Sequence, residues 1–164
     1  MLVQLRPVNQ ELVNAFQHWA TKAELAEYFR HRLPLFSWKT QEGTLAQLEG
    51  AYGIYEDDKL VGVVQLTLID FVSRNCSLSM LIDTDLSASR LETGRSAYDQ
   101  ILKYCFDTMQ MHRVYMRVLT TRTKFINRVQ SGGWRIEGHL IQSCFVNGEP
   151  KDEFILGLLK SERR

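Results

Sequence analysis

The sequence is poor in the residues that mark specialised classes of protein. It has 3 cysteines and 3 prolines among 164 residues, and its formal net charge at pH 7 is +1. This balance gives no support for binding to nucleic acid or to a membrane surface. Cys76, Cys105 and Cys144 are widely spaced, odd in number and match no metal-ligand spacing. We therefore expect reduced thiols, no metal site, and neither nucleic acid nor membrane as a partner.

Targeting and linker segments are also missing. No apolar run approaches the ~20 residues needed to cross a bilayer, and the start MLVQLRPVNQ lacks the pattern of a signal peptide. Together with reduced thiols, this predicts a cytoplasmic protein. No repeat or Pro/Gly/Ser-rich linker divides the chain, so the length predicts a single domain over residues 1–164.

The hydrophobic pattern changes near residue 50 from a helical period to strict alternation. Before that point, a strand over 2–6, ended by Pro7, precedes helices over 9–20, 22–30 and 40–48. Beyond it, strands and helices follow each other. In chain order they are the strands AYGIYED, KLVGVVQLTLID and NCSLSMLID, a helix over 90–108, the strand HRVYMRVLT, a helix over 123–131, and the strands WRIEGHLIQSCFVNG and DEFILGLL.

This order of elements predicts an α/β (α+β) fold. The helix over 90–108 lies between two strands, which predicts a βαβ unit with a parallel strand pair. The strands over 50–82 form an antiparallel meander joined by a turn at Asp57-Asp58, and Asn147-Gly148 joins the last two strands. The sheet is therefore mixed and mostly antiparallel, with about seven strands flanked by helices.

The junction DTDLSASRLETGRSAYD, residues 83–99, leads from a strand into a helix. Such a junction is a natural anion site, because the first amides of a helix have no intrahelical partner. Yet the loop contains no glycine before Gly94, and Ser89-Arg90-Leu91-Glu92 matches the pattern of a capping box. Two interpretations stay open, an altered phosphate loop and a helix start that caps itself.

The whole chain resembles the GNAT family of acetyl-CoA-dependent N-acetyltransferases, especially the branch with ribosomal-protein N-terminal and spermidine acetyltransferases. The resemblance implies a GNAT fold that uses acetyl-CoA as cosubstrate. It also implies acetyl transfer to a primary amine, on a small molecule or a protein N-terminus, by direct attack in a ternary complex. The phrases that carry it are LVGVVQLTLIDFVSRNCSLSMLI, YCFDTMQMHRVYMRVLT, GGWRIEGHL and FVNGEPKDEFILGLL.

The resemblance also implies where acetyl-CoA lies. In the family it occupies a splay between the fourth and fifth strands, and loop amides hold its pyrophosphate. The two loop glycines of the family fall on Ala88 and Arg90, or on Arg90 and Glu92, so the loop carries a two-residue insertion; a third register uses Gly94 and Ser96. The implied cofactor-binding residues are Leu81, Ile82, Ser87, Ala88, Ser89, Arg90, Leu91, Glu92 and Arg122.

Two further family residues are not matched. Arg122 stands where an asparagine usually contacts the pantetheine arm, and Val129 stands where a tyrosine often protonates the departing thiolate. These departures support an alternative hypothesis, a catalytically weak or inactive GNAT-fold binding or interaction protein. Because relatives often dimerise, a homodimer is also expected.

Few side chains are candidates for acid–base chemistry or acceptor binding. Glu137 and His139, on the sixth strand, are the candidate catalytic residues, although Glu137 belongs to a family phrase and has a structural interpretation. Tyr28, Phe36 and Trp38 form an aromatic segment in the region that lines the acceptor pocket in relatives. Core packing of two short helices explains the same aromatic residues.

Overall fold

The computed structural model describes residues 1–22, 25, 48, 50–87 and 89–164 of the chain. Within these residues, seven strands and three α-helices follow each other in the predicted order. They are β1 (Val3–Pro7), α1 (Gln10–Trp19), β2 (Ala51–Glu56), β3 (Lys59–Asp70), β4 (Asn75–Ile82), α2 (Arg90–Lys103), β5 (Arg113–Leu119), α3 (Thr123–Ser131), β6 (Arg135–Val146) and β7 (Glu149–Leu159).

Two differences from the predicted elements are visible. The helix predicted over 90–108 is α-helical only to Lys103 and continues as a π-helical turn over Tyr104–Thr108. The helices predicted over 22–30 and 40–48 lie largely outside the described residues. None of the described helices has the length and apolar composition that crossing a bilayer requires.

The strands form one mixed sheet in the order β1-β2-β3-β4-β5-β7-β6. The pairs β1–β2, β2–β3, β5–β7 and β6–β7 are antiparallel, whereas β4 and β5 are parallel. A parallel pair needs a crossover, which α2 supplies. The predicted mixed, mostly antiparallel sheet is thereby confirmed.

Both predicted tight turns have the backbone that a two-residue hairpin requires. Asp57 and Asp58 have φ of 43° and 71°, and Asn147 and Gly148 have φ of 52° and 78°. Positive φ at both central residues matches the right-handed twist of the flanking strands. Asp and Asn enter this region more readily than most residues, so these positions act as turn signals in the sequence.

The chain forms two compact units. Unit 1 comprises Met1–Thr67 with Ser79–Lys103, and unit 2 comprises Leu68–Leu78 with Tyr104–Arg164. The prediction of a single domain therefore stays a prediction.

Unit 1 has its core where α1 packs against the inner strands. Asn9 caps α1 by accepting a hydrogen bond from the Leu12 amide at 2.9 Å, and its amide donates to the Tyr55 hydroxyl at 2.9 Å. The cap therefore starts the helix and ties it to β2 at the same residue. The buried cluster contains Leu12, Val13, Phe16, Trp19, Leu48, Ala51, Tyr55, Leu60, Val63 and Leu81.

Unit 2 contains β5, β6, β7 and α3. Its buried side chains include Val114 and Leu158 on the strands and Ile126 and Val129 on α3. Gly133, just after α3, has φ of +101°, and a Cβ there would overlap the backbone carbonyl of Glu162. Glycine is therefore required at the point where the chain turns from α3 into β6.

Candidate functional site

The parallel pairing of β4 with β5 is short. Asn75–Ser77 pair with Arg113–Tyr115, and β4 continues for five residues beyond, to Ile82. Leu81 and Ile82, both predicted to bind the cofactor, have buried side chains. They can therefore offer a ligand their backbone groups rather than their side chains.

The loop that follows β4 begins with a buried carboxylate. Asp83 is 2% exposed. Its Oδ2 accepts hydrogen bonds from Trp19 Nε1 and Lys22 Nζ, both at 2.8 Å, and its Oδ1 accepts one from the Asp85 amide at 3.0 Å. The first loop residue is thus held to α1 and to the residues that follow it.

The same contacts set the protonation state of Asp83. Burial favours the neutral acid, but the hydrogen bonds from Lys22, from the Asp85 amide and from Trp19 outweigh it and hold the pKa of Asp83 below its usual value. The hydrogen bond to Asp83 likewise raises the pKa of Lys22. Both partners are therefore charged at neutral pH, and the ion pair is formed.

A second buried carboxylate holds the end of the loop. Glu56, the last residue of β2, is 6% exposed, and its Oε1 accepts hydrogen bonds from Ser87 Oγ and Thr93 Oγ1. Lys59 Nζ donates to the Leu86 carbonyl at 2.8 Å. The loop is therefore tethered to β2 and β3 on one side and to the first turn of α2 on the other. Ser87, predicted to bind the cofactor, has its hydroxyl bonded to Glu56.

The first turn of α2 shows how the N-terminus of this helix is capped. The Ser89 carbonyl accepts the Thr93 amide at 2.9 Å, which makes Ser89 the N-cap residue. Among the hydrogen bonds of the described residues, none joins the Ser89 side chain to Glu92. The amides of Arg90, Leu91 and Glu92 precede the first intrahelical bond and point out of the helix N-terminus. The capping-box pattern is therefore not formed among the described residues, and the anion-site interpretation stays a prediction.

Glycine is not required in the described part of the loop. None of residues 83–87 and 89–92 has a positive φ. The left-handed backbone conformation that favours glycine is thus absent from these residues, and their backbone is unstrained. Ala88 lies outside the described residues, and so do Tyr28, Phe36 and Trp38, so the acceptor-lining segment stays a prediction.

The two unmatched family positions are described in unit 2. Arg122 immediately precedes α3, and its guanidinium lies 5.2 Å from the centre of the Phe125 ring. Val129 is buried, so this position presents neither a hydroxyl nor an exposed surface. A role for Arg122 in cofactor binding stays a prediction.

Glu137 is engaged in an ion pair. Its carboxylate oxygens accept hydrogen bonds from Arg113 Nη2 and, at 3.4 Å, from Arg113 Nε. A Cβ at Gly157 would overlap this carboxylate, so Glu137 lies directly against the β7 backbone. These contacts explain the conformation of Glu137 structurally and leave it poorly suited to proton transfer.

His139 has the better geometry for proton transfer. Its Nε2 lies 2.8 Å from Asp152 Oδ2, and the ring packs edge-on against Phe154 at 5.1 Å. Asp152 Oδ1 accepts the Gln142 amide at 2.8 Å. That amide and then His139 hold the pKa of Asp152 below its usual value. An imidazole oriented by a carboxylate on one nitrogen can exchange a proton through the other.

Sequence reasoning missed the buried carboxylates. Besides Glu56 and Asp83, Glu153 on β7 is fully buried, where it accepts Arg117 Nη2 at 2.6 Å and Ser143 Oγ at 2.8 Å. In the sequence, each of these is an acidic residue at or beside the apolar part of a strand, and that position was the signal that could have predicted its burial. Among the described residues, no group of three or more His, Cys, Asp or Glu side chains could hold a metal ion.

Comparison with protein families gives one match over most of the chain. A model described as "Acetyltransferase (GNAT) domain" matches residues 2–155. A spermidine N(1)-acetyltransferase of Vibrio cholerae is 25% identical over 103 residues, which are 63% of this chain and 58% of that protein. This chain thus aligns with little more than half of that relative. YdaF of Bacillus subtilis, which carries the provisional name of a ribosomal N-acetyltransferase, is 24% identical over 98% of this chain and 85% of its own length.

Solved structures show the same fold. Spermidine N-acetyltransferase from Vibrio cholerae, in a crystal with CoA and spermine, superposes with a TM-score of 0.83 at 18% identity. The superposition covers 98% of this chain and 96% of that one. A chimera of the Vibrio cholerae enzyme and hSSAT gives a TM-score of 0.80 at 19% identity, over 98% of this chain and 97% of the chimera.

The Asp83 ion pair predicts a defined pH dependence of stability. Asp83→Asn removes the charge with little change of volume, so we expect the free energy of unfolding at pH 7 to fall by about 1–3 kcal/mol. Because the pKa of Asp83 is depressed in the folded state, its stabilisation is present above the unfolded pKa of about 4 and is lost as pH falls through the folded pKa. The difference between wild type and variant should therefore shrink in acid.

Urea unfolding of both proteins between pH 7 and pH 3 measures this difference. The control is Asp99→Asn, which alters an exposed aspartate of α2 and should shift stability by no more than about 0.5 kcal/mol. A difference for Asp83→Asn that stays constant over the whole pH range contradicts the prediction.

Proposed function

Because the chain belongs to the acetyltransferase (GNAT) family, we propose that it transfers an acetyl group from acetyl-CoA to a primary amine. A neutral amine nitrogen attacks the thioester carbonyl in a ternary complex. A C–N bond forms, the C–S bond breaks, and the proton released from nitrogen passes to a base while the thiolate leaves. The family match over residues 2–155 is the observation that carries this proposal.

The described residues fit such a cosubstrate. The amides of Arg90, Leu91 and Glu92 at the start of α2, a helix of 14 residues, form an N-terminal anion site. Arg90 is exposed and adds a positive charge beside them. Asp83, which is ionised, is compensated by Lys22 and by its other donors, so its charge is not left open to repel a pyrophosphate.

The acceptor is proposed to be a small-molecule amine or a protein N-terminus. Relatives named spermidine N(1)-acetyltransferase support a small polyamine as the first acceptor to test. Positioning of the amine against the thioester supplies much of the rate, so the reaction does not depend on a tyrosine at position 129.

A second candidate function is an interaction protein that binds weakly or not at all to acetyl-CoA. The observation that favours it is Glu92, an exposed carboxylate in the first turn of α2 where an anion is expected. The binding experiment below separates the two candidates.

Acetyl-CoA is expected to stabilise the protein. At 100 times its dissociation constant, a ligand raises the free energy of unfolding by about 2.7 kcal/mol, which a thermal-shift titration detects. Arg90→Glu should weaken this stabilisation strongly, because it places a negative charge at the anion site. Arg95→Glu makes the same charge change on the same helix and should leave most of the stabilisation intact. Absence of any shift with millimolar acetyl-CoA favours the interaction protein and rules out the transferase.

His139 is proposed as the group that takes the amine proton, with Asp152 orienting its ring. His139→Ala should lower kcat by about 10²–10⁴-fold in a thiol-release assay with spermidine, spermine and simple amines. Glu137→Gln, on the same strand, should change kcat far less, because Glu137 pairs with Arg113. Equal losses in the two variants, with unchanged acetyl-CoA affinity, count against His139.

The protein is further proposed to be cytoplasmic and to form a homodimer through β6. All three cysteines are buried thiols outside any disulfide, which supports a reducing compartment. β6 lies at one edge of the sheet and exposes Ile136, Ile141 and Phe145. An exposed edge strand with apolar side chains is a template for pairing with another chain.

Sedimentation of the wild type at micromolar concentration should give the mass of a dimer. Ile141→Lys places a charge on the proposed interface, where the side chain is 76% exposed, and should shift the mass to that of a monomer. Val72→Lys alters a side chain that is 95% exposed at the β3–β4 turn and should leave the dimer unchanged. A wild type that sediments as a monomer refutes the assembly.

A further inference from the structure

Glu56 is the buried carboxylate with the most direct hold on the candidate anion loop. It ends β2, and its Oε1 accepts from two hydroxyls that belong to different elements. Ser87 lies in the loop after β4, and Thr93 lies in the first turn of α2 and is fully buried. A carboxylate that has lost its water needs such donors, and hydrogen bonds to an ionised group are stronger than neutral ones.

The two donors bracket the part of the chain that would contact an anion. Ser87 precedes and Thr93 follows residues 88–92, which include the three outward-pointing amides of α2. Fixing Ser87 and Thr93 to one oxygen atom sets the distance between the ends of this short segment. Lys59 adds a third tether through the neighbouring Leu86 carbonyl.

The hydrogen bonds of Ser87 and Thr93 to Glu56, called the clamp from here on, hold the described part of this glycine-free loop. A loop that relies on glycine takes its shape from backbone conformations that other residues rarely adopt. The described part of this loop has ordinary φ values throughout, so its shape depends on side-chain bonds instead. Preorganised donors bind an anion more tightly than mobile ones, because less ordering remains to be done on binding.

We propose that Glu56 is a positioning residue for acetyl-CoA, which holds the loop and the N-terminus of α2 in the geometry that binds the pyrophosphate. The proposal rests on the proposed function. It also gives Ser87 a different role from the one expected from sequence. Ser87 acts through Glu56 and does not contact the cosubstrate.

A double-mutant cycle separates these two roles of Ser87. Ser87→Ala, Glu56→Ala and the double variant are compared by the dissociation constant for acetyl-CoA, measured by calorimetry. Each single variant should raise the constant by about tenfold or more, and Ser87→Ala should add little once Glu56 is absent. Full additivity of the two effects means that Ser87 contacts acetyl-CoA directly and overturns the assignment.

Two further variants distinguish a specific loss of acetyl-CoA binding from a general loss of stability. Thr93→Val removes the second hydroxyl with almost no change of shape, and it should also weaken acetyl-CoA binding. Glu153→Gln alters a fully buried carboxylate of β7, outside the loop, and should destabilise the fold without changing acetyl-CoA affinity. An equal loss of affinity in Glu153→Gln shows a general effect of instability and contradicts the positioning role.

Amide hydrogen exchange of the free protein gives a readout that does not need acetyl-CoA. Glu56→Ala and Thr93→Val should speed exchange over residues 84–93 and leave β6 and β7 unchanged. Unchanged exchange in the loop overturns the clamp. Faster exchange with unchanged affinity overturns the positioning role. If the wild type itself does not bind acetyl-CoA, the proposed function fails and the positioning role fails with it, while the exchange data still decide whether the clamp exists.

Discussion

A carboxylate that leaves water must be met by donors, and this constraint organises the candidate site. Asp83 and Glu56 are both buried, and each collects donors from elements that are distant in sequence. The donors come from α1, from the loop and from α2, so satisfying two acidic groups fixes the mutual arrangement of all three within unit 1. The candidate anion loop is therefore held by these side-chain contacts rather than by glycine conformations of its backbone.

The fold could be predicted largely from sequence because its signals are local. The change from helical period to alternation near residue 50, the Asp57-Asp58 and Asn147-Gly148 turns, and the helix over 123–131 all depend on neighbours a few residues apart. The parallel pair followed from a helix between two strands. The π-helical turn after Lys103 was not predictable in this way, since π-helix is rare and this turn of 5 residues is too short to show a period of its own.

The site was less predictable because its contacts are distant along the chain. The position of the loop followed from the strand-to-helix junction, and its binding of an anion stays a prediction. The Glu56 bonds to Ser87 and Thr93 span 31 and 37 residues, and nothing in the local sequence of either partner signals the other. The capping-box pattern was a local signal that pointed elsewhere, since Ser89 serves as N-cap through its carbonyl. For Glu137, the ion pair with Arg113 depends on strand register, which periodicity alone does not give.

The loop after β4 unfolds cooperatively with β2, because its hydrogen bonds to Glu56 connect the two. A glycine cradle can open and close by rotating its own backbone, independently of the sheet behind it. Here Ser87, Leu86 and Thr93 are bound to the β2–β3 hairpin, so an opening of the loop breaks bonds to that hairpin as well. Opening of the candidate anion loop is therefore coupled to unfolding of a hairpin that supplies part of the unit 1 core, so we expect the loop to lose its shape together with that core.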